Sequence, residues 1–390
     1  MPVVVIGAEQ MSTEGLRFSL HPSIHELPAV QWDALAGAQV VLQHAFLSLF
    51  EAHGCVGEDT GWQPMHAALH EGDCLVAAMP LYLKSNSWGE YVFDWAWAEA
   101  YERHGLDYYP KALCALPFTP VPGARILARD ARSREQLLAM VIAWCAELGL
   151  SSFHLLFADA RDLAAGEALG LQRRTGVQFH WNSRGETDFE AFLGRFGHDK
   201  RKKIRQDRRH AHEDGLSFEL REGTDIRAQD WDFFERCYRH TYALHRSSPY
   251  LNRAFFHALG ARLPQHCVMV LALRGGQAVA ASLMLRDETA LYGRYWGALE
   301  YHPCLHFECC YYQGIEYAIH AGLQRFEGGA QGEHKLARGF EPVATYSLHW
   351  LADARFANAV ADYLARETGG IELYLDELRE RMPFRQGAER

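Results

Sequence analysis

A chain of 390 residues has room for two domains of ordinary size, or three. With 48% hydrophobic and 23% charged residues it is no disordered polymer, and it has apolar material for more than one core. The formal charge of −10, from 39 Lys+Arg against 49 Asp+Glu, excludes a protein dedicated to long nucleic acids, whose footprint is basic.

The start, Met1-Pro-Val-Val-Val-Ile-Gly7, has no Lys or Arg ahead of its apolar run. That run is shorter than the roughly 7–15 residues of a signal-peptide core, and Met11 is an equally good start. Residues 1–14 are expected to be a flexible N-terminus. No stretch reaches the ~20 apolar residues that span a bilayer, so the expected location is the cytoplasm, without a transmembrane segment. Nine scattered cysteines form no C-x-x-C pair, which predicts reduced, mostly buried thiols rather than a disulfide framework or a zinc ribbon.

Hydrophobic periodicity then alternates between α and β. Met65–Lys84 reads as a β-hairpin turning at Glu71-Gly72-Asp73, and Val268–Arg286 as a second one turning at Arg274-Gly275-Gly276. Each is followed by an aromatic run read as a strand, Tyr91–Trp97 and Leu291–Trp296. Each half then has a helix stopped by Gly-Leu and a further strand: Leu137–Leu148, Gly149 and Phe153–Phe157; then Phe307–Ala321, Gly322 and Arg325–Glu327. The offset falls from 203 (Gly72 to Gly275) to 173 (Gly149 to Gly322), which gives the first half about 30 extra residues. The Pro-rich loop Pro117–Gly123 and its flanks are the natural insertion. The chain therefore reads as one α/β (α+β) fold used twice, over 15–184 and 185–390.

Just past the junction, Arg195, Lys200, Arg201, Lys202, Lys203, Arg205, Arg208 and Arg209 face only Asp199 and Asp207. This local charge of +6 leaves −16 for the remaining chain. The segment is predicted as a basic helix over 198–214, with Asp199 as N-cap and Gly215 past its end. Like charges so close repel unless an anion lies among them. Lys200, Arg201, Lys202, Lys203 and Arg205 are accordingly expected to hold the phosphates of a donor; the alternative is a solvated surface helix with acidic neighbours.

Several long, non-repetitive runs resemble a known family: Tyr91–Arg103, His198–Arg205, Tyr292–Gly297, His302–Glu308 and Gly329–Phe340. They are similar to the tandem GNAT-type acyltransferases, and most closely to the FemAB-like branch linked to peptidoglycan biosynthesis, from about Phe18 to Glu367. The resemblance implies two GNAT-like domains and N-acyl transfer to the amine of a peptide or amino-sugar acceptor, such as a cell-wall precursor. It also implies aminoacyl-tRNA or acyl-CoA as donor, with one end of a tRNA as a partner and no tightly bound cofactor. Ordinary GNAT enzymes seat CoA pyrophosphate on a Q/R-x-x-G-x-G/A loop, and neither half has one. The alternatives are an acetyl-CoA-dependent enzyme acting on a small molecule, and a non-catalytic peptidoglycan- or peptide-binding module.

Aminolysis needs a proton acceptor for the attacking ammonium and donors for the oxyanion. Glu333, His334 and Lys335 sit between Gly332 and Gly339 after a predicted strand and, with Glu308, are the catalytic candidates. Arg338 would neutralise a carboxylate, phosphate or oxyanion; a salt-bridged structural loop is the alternative. Asp94, Trp97, Glu99 and Arg103 in the first half, with Arg294, Trp296 and His306 in the second, are read as a substrate rim, or else as core and cleft wall. Pro303 between His302 and His306 spoils a shared helical face, so no metal is expected. No G-x-S-x-G elbow is present, and direct attack in a ternary complex is expected.

Overall fold

The computed structural model describes residues 12–13, 15–329 and 332–385, so the N-terminal segment 1–14 lies largely outside the described residues. The chain divides into two compact units, Met1–Gly176 with Thr345–Ile371, and Val177–Ala344 with Glu372–Arg390. The sequence reading placed a single junction at 184/185. The chain instead changes unit inside three long elements, the strands Gln172–Asn182 and Glu341–Leu351 and the helix Ala354–Glu380. Continuous strands and helices carry no Pro/Gly-rich linker, so composition could not mark these crossings.

In the first unit Leu16–His21 pairs antiparallel with His66–Glu71, which turns onto Cys74–Met79. Gly72 takes the left-handed φ of 59° that this two-residue turn requires. A second ribbon runs Trp62–Pro64, Leu81–Lys84, Lys111–Cys114, Ser152–Leu156 and Ser347–Leu351. Within it Ala112–Cys114 lies parallel to Phe153–Leu155. Parallel strands need a crossover, and the helix Ala131–Glu147 lies in it. Asp130 caps that helix by accepting from the Ser133 N–H at 2.7 Å. Its Leu137, Leu138, Val141 and Cys145 enter the core beside Leu69, Val76 and Leu155. Each such buried side chain contributes about 1.5–3 kcal/mol relative to exposure.

The second unit repeats the plan. Leu216–Glu222, Cys267–Arg274, Gln277–Arg286 and Ala290–Ala298 form an antiparallel sheet, and Ala290–Tyr292 then runs parallel to Arg325–Glu327. The crossover is the helical run Leu305–Phe307, Glu308–Tyr312 and Gln313–His320, whose middle turn is π-helical. Ile315 packs there beside Val268, Val270, Met284 and Phe326. Both hairpins, both crossover helices and both glycine stops at Gly149 and Gly322 lie where the sequence put them, so the α/β fold is used twice.

Two local expectations fail. Tyr91–Trp97 is no strand: Tyr91 has φ 64°, and a helix, Trp95–Arg103, begins right after Asp94. The Asp94 carboxylate is drawn inward to Lys111 while its carbonyl accepts from Trp97 and Ala98 N–H, so the chain coils here. The basic helix spans His198–Ala211 and starts after Gly197, so Asp199 is a first-turn residue rather than the cap. There it still faces the positive end of the helix dipole.

Candidate functional site

Where two parallel strands stop pairing, the sheet opens. In the second unit the pairing ends at Tyr292 and Glu327, and glycines follow on both strands, Gly293 on one and Gly328 and Gly329 on the other. A Cβ on Gly328 would lie 2.9 Å from the Phe340 ring, so the close approach needs glycine. Beyond lies a cavity of about 170 Å³ walled by Arg294, Tyr295, Trp296, His306, Cys310 and Tyr311. The π-helical turn supplies its Cys310 and Tyr311, and it is pinned by the Ser282 hydroxyl donating to the Cys309 carbonyl at 2.9 Å. Such turns re-aim side chains at functional sites.

Lys335 is buried at the rim of this opening, its Nζ donating to the Gly329 carbonyl at 2.9 Å. Burial lowers its pKa to about 8. His306 is lowered to about 4, by burial first and then by the positive field of His334, Arg338 and Lys335. His334, pushed down by burial and by Arg338 and Lys335, lies 2.9 Å by its Nε2 from the Tyr311 hydroxyl. At neutral pH the site thus offers two uncharged imidazoles and one ammonium close to its neutral form.

The first unit closes the matching gap with its own chain. Its parallel pair ends at Cys114 and Leu155. Leu116, Phe118 and Val121 are buried just beyond, and the Gly123 N–H donates to the Phe157 carbonyl at 3.1 Å. The Pro-rich insertion read in the sequence therefore fills this space, and the Arg125 guanidinium locks the loop by donating to the carbonyls of Val121, Gly123 and Ala124.

The other catalytic candidates are committed elsewhere. Glu308 is fully buried and takes Arg208 on both oxygens at 2.8 and 3.1 Å, with Gln313 at 2.7 Å, so it braces the π-turn. Glu333 is exposed and accepts from the Tyr374 hydroxyl at 2.6 Å. Arg338 is buried on the Phe307 ring, reaching Asp207 at 3.4 Å and the His334 carbonyl at 2.6 Å. It fixes the loop that carries His334 and Lys335.

On the basic helix Lys203 pairs with Asp207 at 3.0 Å and Arg205 with Glu190 at 2.5 Å. Lys200, Arg201 and Lys202 have no acidic partner within 4.0 Å among the described residues. Their charge is thus available to a ligand. Also among the described residues, no three His, Cys, Asp or Glu side chains come together as a metal site.

The substrate rim expected in the first unit splits in two. Asp94 and Trp97 are buried, while Glu99 and Arg103 are exposed, with Arg103 Nε donating to the Glu99 carbonyl of its own helix at 3.4 Å. Asp94 belongs to a buried ionic cluster that sequence reasoning missed. Lys111 Nζ donates to Glu90 at 2.9 Å, to Ser87 at 2.9 Å and to Asp94. Lys84, opposite Lys111 on the neighbouring strand, completes it 3.9 Å from Glu90. Burial lowers Lys84 to about 7 and raises Glu90 to about 7. For Asp94 burial opposes charge, but Lys111 outweighs it and holds the carboxyl well below the usual range. Two lysines on strands give no periodic signal beyond their charge.

A model of the FemAB-like family, described as peptidoglycan biosynthesis/recognition, matches residues 23–386. The chain belongs to the FemAB-like family. Solved structures share the fold at low identity. A C-terminal domain (DUF2156) assigned to a lysylphosphatidylglycerol synthetase of Agrobacterium fabrum is 10% identical with a TM-score of 0.55, covering 88% of this chain and 97% of its own. FemX is 10% identical with a TM-score of 0.51, covering 90% and 100%. L-PGS from Bacillus licheniformis is 10% identical with a TM-score of 0.51, covering 89% and 97%. No curated protein matches the chain in sequence. Among the described residues no helix is long and apolar enough to cross a membrane.

Proposed function

We propose that this FemAB-like chain is an N-acyltransferase whose second unit carries the chemistry, passing an aminoacyl or acyl group to an amine of a peptide or amino-sugar acceptor of the cell-wall type. The observation that carries the reading is the asymmetry of the two parallel-strand openings. One is an open cavity with titratable walls, and the other is filled by the insertion Pro117–Gly123. The donor's acyl carbonyl would lie in the cavity beside Gly328 and Gly329. Neutral His334 or His306 would take the proton of the attacking amine, and the Lys335 ammonium would face the oxyanion. Lys200, Arg201 and Lys202 would hold the donor's phosphates. Attack is direct: the nitrogen forms the C–N bond, the ester or thioester bond breaks, and the leaving alcohol or thiol receives the proton. The cavity thiol Cys310 is pushed well up by burial, which does not suit a covalent nucleophile.

A screen of charged tRNAs and acyl-CoAs with peptide and amino-sugar acceptors, read by mass spectrometry, tests this. Product formation that disappears in Lys335→Ala supports it. Product formation that survives Lys335→Ala removes the second-unit site. Failure of every donor while acceptor still binds leaves the binding-module reading in its place.

A further inference from the structure

Between strands Leu81–Lys84 and Lys111–Cys114 the first unit buries two carboxylates and leaves three aromatic rings exposed. Ser87, Glu90, Asp94 and Trp97 are buried, whereas Trp88, Phe93 and Trp95 are 60%, 49% and 38% exposed. Aromatics bury 150–250 Å² each when they pack, so three left in water over eight residues are an unusual display. The display is also rigid. The Trp88 carbonyl accepts from Trp62 Nε1 at 3.0 Å and Lys84 Nζ at 3.3 Å, and the Phe93 carbonyl accepts from Arg174 at 2.7 Å. Glu90 and Asp94 tie the chain between them to Lys111. Gly89 has φ 82°, and any Cβ there would strike the Phe118 ring at 2.5 Å. Tyr91 holds a left-handed φ that costs about 1 kcal/mol or more for a residue with a side chain. The buried ionic cluster thus fixes a backbone whose exposed product is the aromatic triad.

We propose that Trp88, Phe93 and Trp95 form a platform for a neutral saccharide, stacking the C–H face of an N-acetylated pyranose. Trp88 and Trp95 meet edge to face at 5.0 Å between centroids, which makes a corner of two indoles rather than a closed apolar core. Uncharged polar groups stand beside it in the chain: Ser85 is exposed, and Asn86 Oδ1 accepts from Trp88 N–H at 3.0 Å while its amide nitrogen lies against Gly61. These suit hydroxyl and acetamido groups. The neighbouring elements Glu58–Thr60 and Trp95–Arg103 expose Glu58, Asp59, Glu99 and Glu102 against Arg103. That excess of carboxylates repels phosphates, nucleic acid and anionic lipid surfaces. The platform deepens the acceptor side of the proposed function and rests on it only in the choice of sugar, because binding is read without any donor.

The test is a titration of the full chain with tri-N-acetylchitotriose, followed by tryptophan fluorescence and calorimetry. The expected result is saturable binding that weakens about tenfold or more in W88A/W95A, and measurably in F93A, with far-ultraviolet circular dichroism unchanged. Absence of saturable binding, or equal affinity in a folded W88A/W95A, overturns it. Tighter binding of the cationic, deacetylated trimer would make the triad a cation cage instead. Co-sedimentation with phosphatidylglycerol vesicles, lost in the same variants, would make it a membrane contact, and either outcome refutes the saccharide. If the double variant is unfolded, F93A and protection of Trp88 and Trp95 from oxidation by the trimer decide. Saccharide binding without any transferase activity would sink the proposed function and leave the platform standing.

Discussion

Lys111→Met removes the cation from the middle of the first unit's ionic cluster with little change of volume. In the native chain its ammonium is fully buried and bonded to Glu90, Ser87 and Asp94. Burial alone would lower its pKa, but Glu90 and Asp94 more than offset that and raise it. Without Lys111, two buried carboxylates share a site with Lys84, which is itself 3.9 Å from Glu90 and already lowered to about 7. Removing one partner of a buried pair costs about 3–5 kcal/mol. At about 2–4 °C per kcal/mol for a unit of this size, the melting temperature should drop by roughly 6–20 °C. The loss should also depend on pH. Glu90 is raised to about 7 in the folded chain, and losing Lys111 raises it further. A raised carboxyl favours the folded state when protonated, so the deficit of Lys111→Met should shrink as pH falls from 8 to about 5.5 and widen as it rises. Adding Glu90→Gln should recover part of the loss at pH 8 and little at pH 5.5, by thermal melts of the four proteins of the cycle. A deficit below about 1 kcal/mol, or one that ignores pH and Glu90→Gln alike, would refute a tightly coupled buried cluster.

Lys335→Ala should cut turnover about 10²–10³-fold and Lys335→Arg far less, and native turnover should fall as pH rises through about 8, where the ammonium loses its proton. A pH profile for Lys335→Arg that still falls at the same point would remove Lys335 from that role. Replacing Lys200, Arg201 and Lys202 with Ala should raise KM for a phosphate-bearing donor and flatten its salt dependence by about three counterions' worth of slope, leaving kcat near native; an unchanged KM contradicts the donor role. Arg208→Ala strands the fully buried Glu308 and should destabilise the chain by about 3 kcal/mol, whereas Arg208→Ala with Glu308→Gln should recover much of it, read by thermal denaturation.

The sequence made the repeat visible because hairpin turns and helix stops rest on local chemistry. Gly72 and Gly275 turn hairpins, and Gly149 and Gly322 end crossover helices, each at a φ that only glycine adopts cheaply. Tyr91–Trp97 misled because an aromatic run has the same strand propensity whether it lies in a sheet or is held by a distant lysine; Lys111 decides the matter from 17 residues beyond Asp94. The direction of each side chain was equally hidden. Asp94 and Trp97 look like neighbours of Phe93 and Trp95 on any linear reading, yet the first two are buried and the second two exposed. In the second half the run Glu333-His334-Lys335 was legible as chemistry, but only the fold separates His334 and Lys335, beside the opening, from Glu333, bonded to Tyr374.

The two copies of the fold treat the end of the parallel pair differently. A parallel pair with a crossover helix leaves a gap wherever the strands part. The second unit keeps its gap by placing Gly293, Gly328 and Gly329 on the diverging strands and by lining it with His306, Cys310 and Tyr311. The first unit closes its gap with its own backbone, Gly123 pairing in parallel with Ala158, and buries Leu116 and Val121 on the way. Its polar residues went into a rigid ionic cluster, which returns little net stability compared with apolar packing of the same volume. Such a cluster is better explained by the geometry it imposes on the exposed segment above it than by the energy it contributes. Under the proposed function the first unit would hold the acceptor and the second would carry the reaction. Shortening Pro117–Gly123 should then destabilise the first unit without creating a second active centre.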